Sequence, residues 1–234
     1  MSPSQPTTSR DPFARERARL VAEIEQDVLE TSAYLGTDRL DPRVLEAIAR
    51  VRRERFVPAP LQYQAYRNHP LPIGEGQTIS QPYIVAVMSH LLQLPADGGR
   101  VYELGTGSGY QAAVLAEMGA EVYSVEILPE LAERAARTLA ELGYDRARVR
   151  AGDGYLGWPD AAPFDAIIIT AAGPEVPQTL VEQLKVGGRL VMPLGPIHQT
   201  QQLIVLTKQP DGRLGRRETL PVRFVPITGD AVPR

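Results

Sequence analysis

Apolar residues Leu20, Ile24 and Val28 recur at every fourth position after Phe13, which sets them on one face of a predicted helix. A second helix follows, with Asp41 as its cap, Pro42 at its first position and Val44, Leu45 and Ile48 turned inward. The period then disappears. Between Phe56 and Gln81 the chain is punctuated by Pro58, Pro60, Pro70, Pro72, Gly74 and Gly76, which predicts an irregular loop region long enough to serve a function. Pro82 opens a third helix whose Ile84, Val85, Met88, Leu91 and Leu92 form a buried face.

From Arg100 onward strand-like and helix-like segments alternate. Val101 to Leu104, Glu121 to Val125, Val149 to Ala151, Phe164 to Thr170 and Arg189 to Met192 read as strands. Tyr110 to Glu117, Pro129 to Leu142 and a stretch near Gln178 to Leu184 read as helices. Such alternation implies a mostly parallel sheet covered on both faces, and the unbroken Ala166-Ile167-Ile168-Ile169 run suits a strand buried on both sides. The tail carries Leu203 to Thr207 and Leu220 to Val225 around Pro210-Asp211-Gly212, the pattern of an antiparallel hairpin. The fold class is therefore α/β: a Rossmann-like, doubly wound sheet with an N-terminal helical preamble and C-terminal antiparallel strands.

The 234 residues suit one such domain. Residues 1–12, rich in Ser, Thr and Pro, read as a flexible leader and 13–234 as the domain, divided into preamble and substrate loop (13–82), cofactor-binding core (83–200) and final strands (201–234). With 25 Lys plus Arg against 28 Asp plus Glu, there is no basic field to draw in a nucleic acid. No apolar run approaches the length of a membrane span, the first residues lack a signal peptide's apolar stretch, and the chain has no cysteine, so a cytoplasmic location is expected. The sequence carries no sign of oligomeric state, for which a monomer is the simplest expectation.

The segment Glu103-Leu104-Gly105-Thr106-Gly107-Ser108-Gly109-Tyr110 places glycines at alternate positions where a strand turns into a helix, the point at which open α/β sheets bind ligands. A dinucleotide fingerprint needs a further glycine where Tyr110 stands, which weakens the nicotinamide reading. Glu126 ends the next strand and is placed to accept ribose hydroxyl protons. Glu103 suits an ammonium better than a pyrophosphate, and Asp153 in Gly152-Asp153-Gly154 suits an adenine amino group. Each alone reads equally well as a salt-bridge partner, a solvated strand end or a turn. Together, at these spacings, they favour S-adenosyl-L-methionine.

The string Leu71-Pro72-Ile73-Gly74-Glu75-Gly76-Gln77-Thr78-Ile79-Ser80-Gln81-Pro82-Tyr83, with the glycine loop, Gly152-Asp153-Gly154, Phe164-Asp165-Ala166-Ile167-Ile168, Thr170-Ala171-Ala172 and Arg223-Phe224-Val225-Pro226, closely resembles the protein-L-isoaspartate O-methyltransferases. The resemblance runs from about Asp41 to Thr228. It implies a catalytic Ser80 and cofactor contacts at Gln77, Thr78, Ile79, Ser80, Glu103, Gly105, Thr106, Gly107, Ser108, Gly109, Glu126, Ile127, Gly152, Asp153, Gly154 and Thr228. It also implies S-adenosyl-L-methionine as cofactor and, as substrate, the free carboxylate of L-isoaspartyl (and D-aspartyl) residues in damaged proteins. Departures from the family pattern are Arg52 for proline, Asn68 for aspartate, Gly173 for alanine or proline, and an inserted stretch from Thr31 to Leu40.

The chemistry asks little of side chains. A peptide carboxylate with pKa ~4 is already ionised at neutral pH, so methyl transfer from a sulfonium needs no general base. Accordingly His69, His90 and His198 stand apart, without metal-ligand or Ser-His-Asp spacing, and are read as surface or packing residues; no metal is expected. Ser80 is read as steering the carboxylate or as capping the helix opened by Pro82. Pro72, Ile73 and Gly74 on one side and Arg223, Phe224 and Val225 on the other are the expected walls of a groove that holds a peptide by its backbone. The closest rival keeps the chemistry but esterifies a normal aspartate in a modified peptide. Nucleobase methylation fits less well, since Thr170-Ala171-Ala172-Gly173-Pro174 stands where those enzymes carry Asp or Asn before Pro-Pro and an aromatic residue. A nicotinamide oxidoreductase and a cofactor-sensing binding module complete the field.

Overall fold

The computed structural model describes residues 11–196 and 199–229; the expected leader up to Arg10 and His198 lie outside the described residues. Helix α1 (Ala14–Glu30) buries Leu20, Ile24 and Val28, as its period predicts. Each such aliphatic side chain contributes ~1.5–3 kcal/mol when fully removed from water. The inserted stretch holds a single turn, α2 (Ser32–Leu35), closed by Gly36 in the left-handed conformation. In α3 (Pro42–Arg50) the Asp41 carboxylate accepts from the Arg43 backbone N–H at 2.9 Å. That helix buries Val44, Ala47 and Ile48 and leaves Leu45 only half-buried.

The predicted irregular region is more ordered than its punctuation suggests. Two 3-10 turns, Arg53–Phe56 and Ala59–Gln64, lead into an antiparallel pair, β1 (Leu71–Gly74) and β2 (Gln77–Ile79). Glu75 and Gly76 join them with φ of 52° and 67°, the paired positive values of a tight hairpin turn. Strands of four and three residues are too short to display an alternating period, so their glycines and prolines read as loop. Helix α4 (Pro82–Leu91) then runs through the core and is buried on most sides, with Ile84 left half-buried.

The core sheet consists of β3 (Arg100–Leu104), β4 (Glu121–Glu126), β5 (Ala147–Ala151), β6 (Phe164–Ile169), β7 (Leu184–Leu194), β8 (Gln201–Lys208) and β9 (Leu214–Val222). Their order is β5-β4-β3-β6-β7-β8-β9, the first five parallel and the last two antiparallel. Helices α5 (Tyr110–Glu117), α6 (Pro129–Glu141) and α7 (Gln178–Glu182) connect the parallel strands. Alternate residues of β6 divide between two apolar clusters: Ala166 and Ile168 join α1, α3, α4 and α5, while Ile167 and Ile169 join Tyr102, Tyr155 and Leu180. This is the doubly wound α/β architecture that the alternation predicted.

Two strands depart from expectation. β7 begins at Leu184, where residues expected to be helical pair instead with Phe164. β9 runs from Leu214 to Val222 rather than from Leu220 to Val225, because Gly215, Arg216, Arg217 and Glu218 are held on the sheet edge by ladder bonds that no apolar pattern announces. Residues Arg223 to Pro226 have left that ladder. They pass beside the end of β6, where the Ala172 N–H donates to the Val225 carbonyl at 2.7 Å and the Ile227 N–H to the Ala172 carbonyl at 2.8 Å.

Candidate active site

β3 is flanked by β4 on one side and β6 on the other, so the chain reverses its winding there and leaves a crevice beyond the strands' carboxyl ends. A cleft fills it, the usual place for a ligand in an open α/β sheet. Its walls come from β3 and its loop (Leu104 to Ser108), from the end of β4 (Val125, Glu126, Ile127), from Thr170 and Ala171 after β6, from β2 and its continuation (Gln77 to Ser80), and from Val225 to Thr228.

The glycine loop is fixed by its neighbours. Gly105 has φ of 93°, and a Cβ there would lie 2.6 Å from the Thr170 Oγ1, which donates to the Gly105 carbonyl at 2.6 Å. No other residue type fits both demands. Gly109 starts α5 and faces α6, where a Cβ would come within 3.3 Å of Ala135 and Leu139; it serves helix packing and does not line the cleft.

Two carboxylates stand behind this loop. Glu126 accepts from the Gly107 N–H (2.8 Å) and the Leu128 N–H (3.1 Å), so it both shapes the loop and faces the cleft. Glu103 is wholly buried and lies behind the lining. Its Oε2 accepts from the Ser124 hydroxyl at 2.6 Å, which is hydrogen-bonded to Thr106 Oγ1 at 2.5 Å, while its Oε1 has no partner. Burial pushes the Glu103 carboxyl up to about 8 against the Ser124 hydrogen bond, and the Glu126 charge adds to the rise. A buried acid with a free oxygen, just behind the lining of this cleft, fits a ligand that brings a positive charge.

Of the residues expected to meet the cofactor, Gln77, Thr78, Ile79, Ser80, Gly105, Thr106, Gly107, Ser108, Glu126, Ile127, Gly154 and Thr228 line the cleft, whereas Glu103, Gly109, Gly152 and Asp153 do not. Asp153 accepts from the Tyr155 N–H at 2.9 Å and packs under the chain at Gly229, where a Cβ would fall 2.7 Å from its Oδ2. Sequence reasoning missed Val85, Leu104, Tyr110, Gln111, Val125, Thr170, Ala171, Pro226 and Ile227. Thr170 was discoverable, since it ends the strand next to β3.

A second groove meets the first at Thr78, Ser80, Thr170, Val225 and Pro226. It continues along Pro70, Gly76, Gln81, Ile84 and the run from Pro221 to Phe224, so Arg223, Phe224 and Val225 lie where a groove wall was expected. Pro72, Ile73 and Gly74 do not. Pro72 and Gly74 pair with Thr78 and Gln77 in the hairpin, and Ile73 is buried, its carbonyl taken by the Arg134 guanidinium of α6. They support the groove's edge from behind.

Ser80 stands at the junction of the two clefts. The capping role weighed for it is not observed: Gln81 occupies the cap position of α4, no side chain caps the helix, and the Ser80 hydroxyl makes no hydrogen bond among the described residues. Elsewhere, His90 is committed to structure, its Nδ1 accepting from the Asp41 N–H, and the ring of half-buried His69 lies against the neighbouring Pro70 carbonyl. No group of metal-binding side chains occurs among the described residues.

The family model described as protein-L-isoaspartate(D-aspartate) O-methyltransferase matches residues 26–232. The chain belongs to that family. Relatives include protein-L-isoaspartate O-methyltransferase 2 of Syntrophobacter fumaroxidans, 55% identical over 219 residues that span 94% of this chain and 88% of the relative. The protein-L-isoaspartate O-methyltransferase of Gloeobacter violaceus is 60% identical over 185 residues, 79% of this chain and 89% of the relative. A solved protein-L-isoaspartate O-methyltransferase superposes with a TM-score of 0.79 at 30% identity, covering 92% of this chain and 67% of its own. A Plasmodium falciparum structure described as a family member in complex with S-adenosyl-L-homocysteine gives 0.73 at 22% identity, covering 91% and 98%, and agrees in fold.

Proposed function

We propose that this chain catalyses S-adenosyl-L-methionine-dependent methyl esterification of the free carboxylate of L-isoaspartyl residues, and of D-aspartyl residues, in damaged proteins and peptides. The observation that carries this reading is the meeting of the cleft at the glycine loop with a second groove at one uncommitted hydroxyl, that of Ser80. Bound in the first cleft, S-adenosyl-L-methionine supplies an electrophilic methyl group on a sulfonium.

The protein's own contribution is alignment and exclusion of water. Ser80 Oγ donates a hydrogen bond to the acceptor carboxylate and turns one oxygen toward the first cleft; Thr78 and Thr170, shared by both clefts, border the same point. Attraction between a cation and a carboxylate fades as the methyl group moves, so water that stabilises the separated ions slows the step. Val225 and Pro226, held against Ala172, close the junction from above. Orientation of this kind is worth ~7–11 kcal/mol in favourable intramolecular systems. No proton changes hands, because the acceptor carboxylate is already ionised at neutral pH. The adjacent backbone nitrogen then attacks the ester carbonyl, closing a succinimide as methoxide leaves with the N–H proton as methanol, and hydrolysis of the succinimide returns part of the material to normal aspartate.

The same reading treats residues 13–234 as one catalytic domain acting as a monomer in the cytoplasm. A chain without cysteine suits a reducing compartment, and no helix among the described residues is long and apolar enough to cross a membrane. Paired peptides that differ only in an isoaspartyl or aspartyl linkage, incubated with radiolabelled S-adenosyl-L-methionine, test it. Label should enter the isoaspartyl peptide; preferential labelling of the aspartyl partner would establish the rival succinimide-forming reaction on normal aspartate instead.

A further inference from the structure

Two departures from the family pattern, Asn68 and the inserted Thr31 to Leu40 stretch, meet at one place beside the acceptor groove. Beyond Gln81, Ile84 and Pro221 the groove opens into a further cleft lined by Asp27, Glu30, Thr31, Tyr34, Tyr83 and Leu220. The first three residues named here line both clefts, so the two form one continuous channel. α1 is locked to α4 at this point: the Thr31 hydroxyl bonds the Tyr83 hydroxyl, and the Asn68 amide accepts from the Tyr83 N–H (3.0 Å) while donating to Asp27 Oδ2 (2.7 Å). An aspartate at position 68 would set a second negative charge against Asp27; the amide instead holds that carboxylate in place.

The cleft carries negative charge and no compensating cation. Among the described residues neither Asp27 nor Glu30 takes part in a salt bridge, and neither does Glu23 one turn earlier on α1. Burial raises the Asp27 carboxyl against its Asn68 hydrogen bond, and the like charges of Glu23 and Glu30 add to the rise. Arg217, on the strand that supplies Leu220 and Pro221, is committed to the Leu35 carbonyl at 2.8 Å. The ring of Tyr34 is exposed, and its face is available to a cation or an alkyl chain. Arg223 lines the acceptor groove, and the two carboxylates line the cleft beyond it.

We propose that this cleft is a subsite for the substrate chain, in which Asp27 and Glu30 receive a lysine or arginine side chain a few residues from the reacting isoaspartate. The proposal rests on the isoaspartyl reading and names a class of preferred substrate for it. An extended chain advances ~3.3 Å per residue, so a basic side chain two to four positions away reaches beyond Gln81. The contact is partly exposed and acts on binding, so it lowers KM and leaves kcat alone.

The test is a peptide set with one isoaspartyl linkage and a single lysine or glutamate placed two, three or four residues to either side. At low salt, at least one position should give the lysine peptide a KM about three- to tenfold below its glutamate partner at equal kcat, the range of one or two exposed charge contacts. Asp27→Asn with Glu30→Gln should remove that gap while leaving KM and kcat for a neutral peptide unchanged, and high salt should narrow it in the parent enzyme. Equal KM values at every position, or a gap that survives the double substitution, would overturn the subsite while leaving isoaspartyl methylation intact. Failure to label any isoaspartyl peptide would overturn both.

Discussion

Replacing Ser80 with alanine separates a steering hydroxyl from a structural one. Ser80 is half-buried, makes no hydrogen bond among the described residues and does not cap α4. Removing its oxygen therefore strips no partner from the folded protein, and the stability change should stay within ~0.5 kcal/mol, or about 1–2 °C in Tm for a chain of this size. In the reacting complex the same hydroxyl donates to an anionic acceptor, a bond worth ~1.5–3 kcal/mol. That corresponds to a fall in kcat/KM of about 10- to 150-fold. Methyl transfer to an isoaspartyl peptide and thermal unfolding of the same preparation give both numbers, and calorimetry with S-adenosyl-L-homocysteine reports whether cofactor binding survives. Turnover within twofold of the parent would refute the steering role. A drop in Tm of several degrees alongside the lost activity would show that Ser80 holds the fold and that its uncommitted hydroxyl had been misread.

Gly105→Ala should abolish S-adenosyl-L-homocysteine binding and lower Tm, since its Cβ meets Thr170 Oγ1 at 2.6 Å on a backbone with φ of 93°; adding Thr170→Ala should restore part of the Tm, and no restoration would refute the contact. Glu103 has a folded pKa of about 8 against an ordinary value of 4.5, so the folded protein holds a proton that the unfolded chain releases between these values. Its contribution to stability therefore declines as pH rises through that window, and denaturant unfolding should show Glu103→Gln, which keeps an acceptor for Ser124, gaining on the parent from pH 5 to pH 8, by up to a few kcal/mol; parallel curves would refute the buried-acid reading. Dialysis against excess chelator should leave methyl transfer unchanged, and loss of activity restored by a divalent cation would show a metal requirement.

Elements that bury one face against the core were legible in the sequence because burial imposes a period. The stripe of Leu20, Ile24 and Val28 and the two-sided run from Ala166 to Ile169 led directly to their places. What escaped was held by backbone hydrogen bonds. The β1–β2 hairpin is too short for alternation to register, and the outer half of β9 is polar because one side of an edge strand faces water. The cofactor cleft was legible along one stretch of chain at a time, at the glycine loop, Glu126 and the Gln77 to Ser80 run. Ala171 and Ile227 reach the same cleft through tertiary contacts, and nothing in their local sequence separates a lining residue from a packed one. Pro72, Ile73 and Gly74 failed as groove residues for the converse reason. A motif marks where a segment matters, and here their part is to pair with Thr78 and Gln77, which do line the cleft.

Those hairpin contacts connect both halves of the site. Thr78 is placed by its pairing with Pro72, the hairpin is anchored to α6 through Arg134 and the Ile73 carbonyl, and α6 packs on the glycine loop's helix at Gly109. Thr170 fixes Gly105 from the opposite side and borders the acceptor groove. The loop that shapes the first cleft and the residues that border the second therefore rest on common supports, α6 on one flank and the end of β6 on the other. An ångström of relative movement between methyl donor and carboxylate would forfeit much of the benefit of alignment. Catalysis by placement, as proposed for this site, needs this shared framework more than it needs any single reactive side chain.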